Sequence, residues 1–403
     1  MAVGYEGLSE LIPVKGIRLA SVAAGIRYAH RDDLVLIEMT QGSVCSAVFT
    51  QNVFCAAPVT VCRKHLDESV PRYLLINSGN ANAGTGEMGL QNAQLCCESL
   101  ASELHCSASE ILPFSTGVIG EHLPVDMICS AYHALFQNLN ENHWSRAAHA
   151  IMTTDTLAKG ISIAKNINGV DVTVTGIAKG SGMICPDMAT LLSFIATDAK
   201  VSQTLLDSCL TQAVNQSFNR ITVDGDTSTN DACVLMATGQ SKAVITQEQG
   251  YAELVNLIVE TCKKLAQLII RDAEGATKFV TVSVEGGGTS SECLQVAYTV
   301  AHSPLVKTAL FASDPNWGRI LAAVGRSGLE NFKIQPVEVY LDDVCIVREG
   351  GVADDYTEQQ GQQVFDQTEF TVRILLGRGQ AREEIWTSDL SHDYISINAD
   401  YRS

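Results

Sequence analysis

A threonine near the middle of the chain follows a small residue at the end of a glycine-containing loop. The loop carries Gly180, Gly182 and Pro186, and it leads to Ala189-Thr190 at the start of the apolar run LLSFIATD. A threonine hydroxyl is a poor nucleophile unless a base lies beside it. Its own α-amine is such a base once the preceding peptide bond is cut, and a flexible loop would permit that cut. The residues alone allow either a nucleophilic Thr190 or an ordinary β-branched residue at the start of a strand.

The same segment, KGSGMICPDMAT followed by LLSFIATDA, resembles the self-cleavage signature of the ornithine acetyltransferase family. This family is also called the glutamate N-acetyltransferase family of arginine biosynthesis. Nearly the whole chain resembles it, in the stretches GIRYAHRDDLVLIE, NSGNANAGTG, STGVIGEHLP, IMTTDT, FNRITVDGDTSTND, RDAEGATKF, SDPNWGRILAAVG and YISINADYRS. Together these motifs are far more specific than a single glycine pattern.

The resemblance implies that the precursor cleaves itself between Ala189 and Thr190. An α chain of residues 1–189 and a β chain that begins at residue 190 result. Thr190 then takes the acetyl group of N2-acetyl-L-ornithine, with its freed amine as general base, and passes it to L-glutamate. This ping-pong sequence needs no cofactor. Acetyl-CoA as a further donor to glutamate, a variant within the family, stays open at this stage.

The resemblance also implies which residues surround the reacting groups. Thr116 and Gly117, in STGVIG, match the family's oxyanion-hole pair, which donates to the oxygen that becomes negative during attack. The substrate contacts that match by position are Thr153, Lys179, Thr190, Glu274, Asn398 and Ser403. Ser403 stands where a threonine is also familiar, and it keeps the hydroxyl. Without the resemblance, STGVIG is an ordinary turn and the last two contacts belong to a polar tail.

Apolar periodicity indicates the elements that position these residues. It predicts helices over residues 87–104, 125–139, 203–217, about 251–270 and 294–310. Asn168-Gly169 between two alternating runs predicts a hairpin, and further strands are expected in LLSFIATD, KFVTVSVEGGG, PVEVYLDDV and EFTVRILLG. This mixture favours an α+β fold over a doubly wound parallel sheet. The resemblance implies a layered α/β/β/α sandwich with a smaller C-terminal α/β domain.

We place a domain boundary near residue 280, with a catalytic core over 1–280 and a C-terminal α/β domain over 281–403. The expected scission site therefore falls inside the first unit. The resemblance implies that the α and β chains stay together in an α2β2 heterotetramer. Because both pieces are acidic, we expect a shared hydrophobic core to hold them together.

Composition excludes several other classes of protein. The 403 residues are 46% hydrophobic and 18% charged, which is typical of a globular protein. A net charge of -18 without a basic run argues against nucleic-acid binding. We find neither a secretory signal pattern nor 18 uninterrupted apolar residues, so we expect no membrane span. Thirteen scattered cysteines without a CxxC motif favour buried thiols in a reducing cytoplasm.

Two local patterns are better explained by structure than by ligand binding. DGDTSTND, residues 224–231, spaces acidic groups like a calcium loop but lacks the glycine and glutamate that such a loop needs, so we expect no metal there. A polar loop near the active site is the preferred interpretation. In SDPNWGR, Ser313 or Asp314 is expected to cap a helix that Trp317 anchors, although a ligand contact is an alternative.

Two other functions stay open from the residues. An N-terminal-nucleophile amidohydrolase or aminopeptidase would use the same acyl-enzyme and discharge it with water. A non-catalytic small-molecule binding protein would use the pocket alone.

Overall fold

The computed structural model describes residues 2–185 and 191–400 of the chain, which form a mixed α+β fold with three sheets. The strands, in chain order, are β1 (Ile17–Val22), β2 (Leu34–Met39), β3 (Val44–Phe49), β4 (Tyr73–Asn80), β5 (Ile111–Val118), β6 (Lys159–Ile167), β7 (Val170–Lys179), β8 (Leu192–Thr197), β9 (Ile221–Thr222), β10 (Ala232–Ala237), β11 (Phe279–Gly287), β12 (Glu338–Leu341), β13 (Val344–Arg348), β14 (Gly351–Val352), β15 (Glu369–Leu375) and β16 (Ala381–Ser388).

The helices surround the sheets. In chain order they are α1 (Ala57–Glu68), α2 (Gly86–Leu104), α3 (Val125–Ser130), α4 (Tyr132–Gln137), α5 (Trp144–Ala150), α6 (Gln203–Asn215), α7 (Tyr251–Arg271), α8 (Ser290–Ala301), α9 (Pro304–Phe311), α10 (Trp317–Gly325), α11 (Glu358–Phe365) and α12 (His392–Ala399).

Two sheets share one hydrophobic core. The first has strand order β1-β2-β4-β5 and the second has order β3-β10-β8-β7-β6. Apolar side chains from both sheets join one cluster between them, where the rings of Phe114 and Phe194 meet edge to face at 5.1 Å. Helices α2, α3 and α4 pack on the other side of the first sheet, and α6 and α7 on the other side of the second. The strands at the centre are therefore buried on both faces.

The third sheet has order β14-β13-β12-β15-β11-β16-β9 and its own core with α8, α9, α10 and α11. Its last strand, Ile221–Thr222, pairs in parallel with β16 and comes from the chain before residue 280. The domain boundary near residue 280 stays a prediction, and this strand joins the two sides of it by hydrogen bonds.

The hairpin prediction is confirmed. Strands β6 and β7 pair over nine residues each side of Asn168-Gly169, whose φ angles are 53° and 81°. Positive φ at both turn positions matches the right-handed twist of the strands, which explains why asparagine and glycine stand there. The helices predicted from about residue 203 and from about residue 251 are also present as α6 and α7.

Two helix predictions are wrong as single helices. The periodic run over 294–310 is divided into α8 and α9 because Pro304 cannot continue a helix and begins a new one, with the Ser303 hydroxyl accepting from Val306 N. The run over 125–139 is divided into α3 and α4 at Ala131. The cap of α10 is also corrected, since its N-cap is Asn316, whose side chain accepts from Arg319 N at 3.2 Å.

No helix in the described part of the chain has both the length and the apolar character needed to cross a bilayer.

Candidate active site

A cavity of about 260 Å³ opens where strand ends of the first two sheets meet. Strand β7 is antiparallel to β8, and β8 is parallel to β10. The end of β7 and the starts of β8 and β10 therefore lie at one edge of the second sheet. The end of β5, which pairs with β4 in the first sheet, contributes Thr116 and Gly117 to the wall.

Six of the residues that the sequence predicted as site residues line this one cavity. They come from five separate segments of the chain and are Thr116, Gly117, Thr153, Lys179, Glu274 and Asn398. The other three, Ala189, Thr190 and Ser403, lie outside the described residues. Leu191 and Leu192, which follow Thr190 directly in the sequence, also line the cavity.

The two predicted oxyanion-hole residues stand where β4 and β5 approach unusually closely. Gly117 has a φ of 134°, and a Cβ at this position would lie 2.3 Å from the carbonyl carbon of Gly79. Only glycine fits, because any side chain would push the two strands apart. The neighbouring Thr116 is 8% exposed and its hydroxyl accepts a hydrogen bond from Lys179 Nζ at 3.1 Å.

Lys179 ends β7 and presents its ammonium to the cavity. The bond to Thr116 Oγ1 is the hydrogen bond that the described structure gives this ammonium. Burial lowers the pKa of Lys179 from its ordinary value, while the carboxylates of Asp155, Asp231 and Glu274 act in the opposite direction. Lys179 is therefore a cation held in the wall of the cavity with spare donors.

A fully buried ionic cluster lies behind this wall. Lys159 Nζ donates to Asp155 Oδ1 and to Asp272 Oδ2, both at 2.6 Å, and Lys159 is 0% exposed. Asp155 also accepts from Gly180 N at 2.8 Å and from Thr153 N at 3.0 Å. Although burial opposes it, the Lys159 ammonium holds the pKa of Asp155 below its usual range. The cluster thus fixes the backbone beside two predicted substrate contacts.

Glu274 and Asn398 both line the cavity and are hydrogen-bonded to each other. Asn398 Nδ2, on α12, donates to Glu274 Oε2 at 2.7 Å. Glu274 N donates to Ser181 O at 2.9 Å, which ties the loop after α7 to the glycine loop. A Cβ on Gly182 would lie 2.4 Å from that same carboxylate, so a larger residue at this position would displace the Glu274 carboxylate.

The glycine loop has an unusual backbone conformation at Met183, which precedes the predicted scission site in the sequence. Met183 lines the cavity with a φ of 55°, a left-handed conformation that is uncommon for a residue with a side chain. The carboxylate of Asp224 stabilises it by accepting from Met183 N at 2.7 Å and from Ile184 N at 3.0 Å. Such conformations concentrate at functional sites.

Sequence reasoning missed individual residues in the loop before β10. Ser228, Thr229, Asn230 and Asp231 all line the cavity, which agrees with the polar loop expected near the active site. Asn230 Nδ2 donates to Ala81 O at 2.6 Å and to Ser115 O at 2.9 Å, and so joins this loop to the first sheet. The run DGDTSTND carries the signal for these residues in its density of hydroxyl, amide and carboxyl side chains rather than in the spacing of its acidic groups. The described residues contain no cluster of potential metal ligands.

Comparisons with known proteins give consistent matches. The ArgJ family model matches residues 18–403. An arginine biosynthesis bifunctional protein ArgJ from Pseudomonas fluorescens (strain Pf0-1) is 55% identical and covers 100% of both chains. A crystal structure of a protein of the same name from Bacillus halodurans is 34% identical, with a TM-score of 0.48, and covers 50% of this chain and 95% of its own. The ornithine acetyltransferase of Mycobacterium tuberculosis, solved in complex with ornithine, is also 34% identical, with a TM-score of 0.38, and covers 44% of this chain and 94% of its own.

Proposed function

The chain belongs to the ArgJ family and is an acetyltransferase of arginine biosynthesis, and we propose that it carries the acetyl group on Thr190. In this proposal acetyl moves from N2-acetyl-L-ornithine to Thr190 and then to L-glutamate. The observation that carries it is the cavity itself, which gathers six predicted site residues around the start of β8. Thr190 precedes Leu192, the first residue of β8, by two peptide bonds.

The first step of the proposal is scission of the chain. The Thr190 hydroxyl oxygen attacks the carbonyl carbon of Ala189, and the C–N bond between them breaks as the amine takes up a proton. Water then hydrolyses the resulting ester, which restores the hydroxyl and leaves a carboxylate on Ala189. The product is an α chain of residues 1–189 and a β chain whose first residue bears both hydroxyl and amine.

Thr116 and Gly117 are proposed to stabilise the oxyanion that forms in each attack. Lys179 can only donate hydrogen bonds, so Thr116 Oγ1 accepts from it and keeps its own hydrogen free. That hydrogen and the Gly117 N–H are then available to a developing negative charge. The ammonium of Lys179 further polarises the hydroxyl.

Charge complementarity suggests how the amino acids bind. Lys179 is suited to a substrate carboxylate, and the Glu274 carboxylate, held by Asn398, is suited to a substrate ammonium. We propose Thr153, Asn398 and Ser403 as further polar contacts. In this arrangement ornithine and glutamate use the same cavity in turn, as a ping-pong reaction requires.

The wider organisation is proposed on similar grounds. We assign the first two sheets and their outer helices to an α/β/β/α sandwich, and the third sheet to a smaller C-terminal α/β domain over 281–403, after a core over 1–280. After scission the α and β chains would share the core between the two sheets and assemble as an α2β2 heterotetramer. Most of the thirteen cysteines are buried, which fits a reducing cytoplasm.

Denaturing electrophoresis with N-terminal sequencing tests scission. We expect two fragments from the purified protein, the second beginning Thr-Leu-Leu-Ser. Thr190→Ala should remove both scission and acetyl transfer, whereas Thr197→Ala, a control at the other end of β8, should still be cleaved. A wild-type chain that transfers acetyl while remaining intact would contradict the mechanism.

A transfer assay distinguishes the acetyltransferase from a hydrolase. Ornithine release from acetylornithine should require glutamate, and equal release without glutamate would favour water as the acceptor. The curated relatives are named bifunctional, which motivates a second candidate activity, acetylation of glutamate from acetyl-CoA. Acetyl-glutamate formation from each donor, measured side by side, tests it.

A further inference from the structure

Asp231 is a carboxyl in the cavity wall that the steps proposed above do not use. Its residue is 3% exposed, and its Oδ2 has no hydrogen-bond partner among the described residues. A buried carboxyl oxygen without a donor is costly, and native structures keep few of them. Because Asp231 lines the cavity, this buried and unpartnered oxygen points to a donor that arrives after the chain has folded.

The charges around Asp231 leave it without a close cation. Within the described lining of the cavity, the charged side chains are Asp231, Lys179 from β7 and Glu274 from the loop after α7, and Asp155 and Lys159 lie behind Lys179. Lys179 acts on Asp231 through space but donates its hydrogen bond to Thr116. Burial raises the pKa of Asp231 well above its ordinary value, which favours the neutral acid in the uncleaved chain.

The backbone places Asp231 next to the start of β8. Ala232 N donates to Leu191 O at 2.9 Å, and Ala232 is in register with Leu192. On its other side, the carbonyl of Asp231 accepts from Thr50 N at 3.0 Å, which fixes the residue between two strands. Leu191 is joined to Thr190 by a single peptide bond.

We propose that Asp231 is the counter-ion of the amino terminus that scission creates at Thr190. The inference rests on the proposed function, since only scission produces this amine. The cavity then holds two carboxyls and receives two ammonium groups. Glu274, paired with Asn398, takes the ammonium of the substrate, and Asp231 takes the one that belongs to the enzyme.

The proton balance gives Asp231 a role in turnover. After scission, the Asp231 acid transfers its proton to the new amine, which forms an ammonium–carboxylate pair. The active form arises when this ammonium loses a proton to solvent. During attack the amine takes the proton of the Thr190 hydroxyl as the bond from oxygen to the acetyl carbon forms. The positive charge that results lies beside the carboxylate, which raises the basicity of the amine.

Asp231→Asn removes the charge and keeps the shape. We expect scission to proceed, since the amine does not yet exist at that stage. In the cleaved variant kcat should fall about 10- to 100-fold, because the amine becomes a weaker base. The acid limb of the kcat/KM profile should move to lower pH by about one unit, because an amine without its carboxylate has a lower pKa.

Asp198→Asn is the matched control. Asp198 is 2% exposed, burial raises its pKa, and it accepts from Thr173 N at 3.0 Å beyond the other end of β8, away from the cavity. Its Asn variant should keep both kcat and the acid limb. If the melting temperature of Asp231→Asn is lower than that of this control, the measurement is repeated on Asp231→Ser, which has a smaller neutral side chain.

The alternative is that Asp231 binds the ammonium of the substrate. A second acetyl donor, one without an ammonium group, distinguishes this alternative from the proposal. N2-acetyl-L-norvaline has the carbon chain of acetylornithine without the δ-ammonium. An equal fold-loss with both donors supports the proposal, and a loss confined to acetylornithine overturns it. An unmoved acid limb, or a folded Asp231→Asn chain that stays uncleaved, also overturns it. An uncleaved wild-type chain would instead contradict the proposed function.

Discussion

Two lysines on the hairpin of β6 and β7 have opposite surroundings. Lys159 is in register with Ala178, next to Lys179, so the two lie side by side at one end of the hairpin. Lys159 is 0% exposed and its ammonium contacts two carboxylates at 2.6 Å. Lys179 faces the cavity and donates to one neutral hydroxyl. One ammonium is therefore compensated by the fold, and the other is left available to a ligand.

The carboxyls at the site repeat this division. Asp155 is bonded to Lys159, Gly180 N and Thr153 N, and its pKa is held below the usual range. Asp231 has an unpartnered oxygen, and its pKa is raised. The groups whose charge is satisfied internally lie behind the cavity wall, while the groups whose charge is left over line the cavity. We infer that compensation, rather than burial, separates scaffold from chemistry here.

Lys159→Met is the most severe test of the comparison. The change leaves two carboxylates buried without their cation, so we expect the free energy of unfolding to fall by about 3–5 kcal/mol. Chemical denaturation of the uncleaved Thr190→Ala background measures this in a single chain. Lys264→Met is the control, because the Lys264 pair with Glu260 is exposed on α7 and should contribute under about 1 kcal/mol. If both substitutions lowered the free energy of unfolding equally, the buried ammonium of Lys159 would stabilise the fold no more than an exposed ion pair does.

Thr116→Val tests the partner of the available lysine. Valine keeps the shape of threonine but removes the hydroxyl, so kcat should fall about 10²- to 10³-fold while the melting temperature changes little. Thr116→Ser keeps the hydroxyl and should retain most of the activity. Steady-state transfer assays on both variants measure the difference. A valine variant as active as the serine variant would exclude this hydroxyl from the oxyanion hole.

Much of the fold was predictable because local rules decided it. The Asn168-Gly169 turn specified its hairpin through its backbone conformation, and the apolar stripe of α7 specified a helix that covers the second sheet. The prediction of a single helix over 294–310 was wrong because the apolar periodicity continues across Pro304, where a helical backbone cannot continue. The pairing of β9 with β16 was also missed, since two residues carry no periodic pattern.

The residues of the candidate site could be named from the sequence only through the resemblance to the family. Thr116, Lys179 and Glu274 were named because they match positions in the family's motifs, and in the structure they line the same cavity. Nothing in the spacing of Asp155, Lys159 and Asp272 indicated a buried cluster, because the third member comes from the end of a distant helix. Such long-range charge pairs depend on tertiary packing and have no local signature.

Lys179→Met sharpens the comparison from the other lysine. We expect kcat/KM to fall about 10- to 100-fold, which is less than the fall in kcat expected for Thr116→Val. The Thr116 hydroxyl remains in this variant, and only its polarisation by Lys179 and the contact with the substrate carboxylate are lost. Stability should stay unchanged or rise by about 1 kcal/mol, since burial disfavours this ammonium in the folded state. Denaturation of the Thr190→Ala background with and without the change measures it. If Lys179→Met lowered the free energy of unfolding as much as Lys159→Met does, the two lysines would both be structural, and the comparison would be wrong.

The smallest expected effect is the pH dependence of the stability that the Asp155 carboxylate contributes. The pKa of Asp155 is lower in the folded chain than its unfolded value of about 3.9. A depressed carboxyl contributes stability above its unfolded pKa and loses it as the pH falls toward the folded value. The stability difference between the Thr190→Ala chain and the same chain with Asp155→Asn should thus be constant above pH 5 and narrow by about 1 kcal/mol by pH 3. A difference for Asp155→Asn that stays constant down to pH 3 would mean that Lys159 does not hold this carboxylate in its charged form.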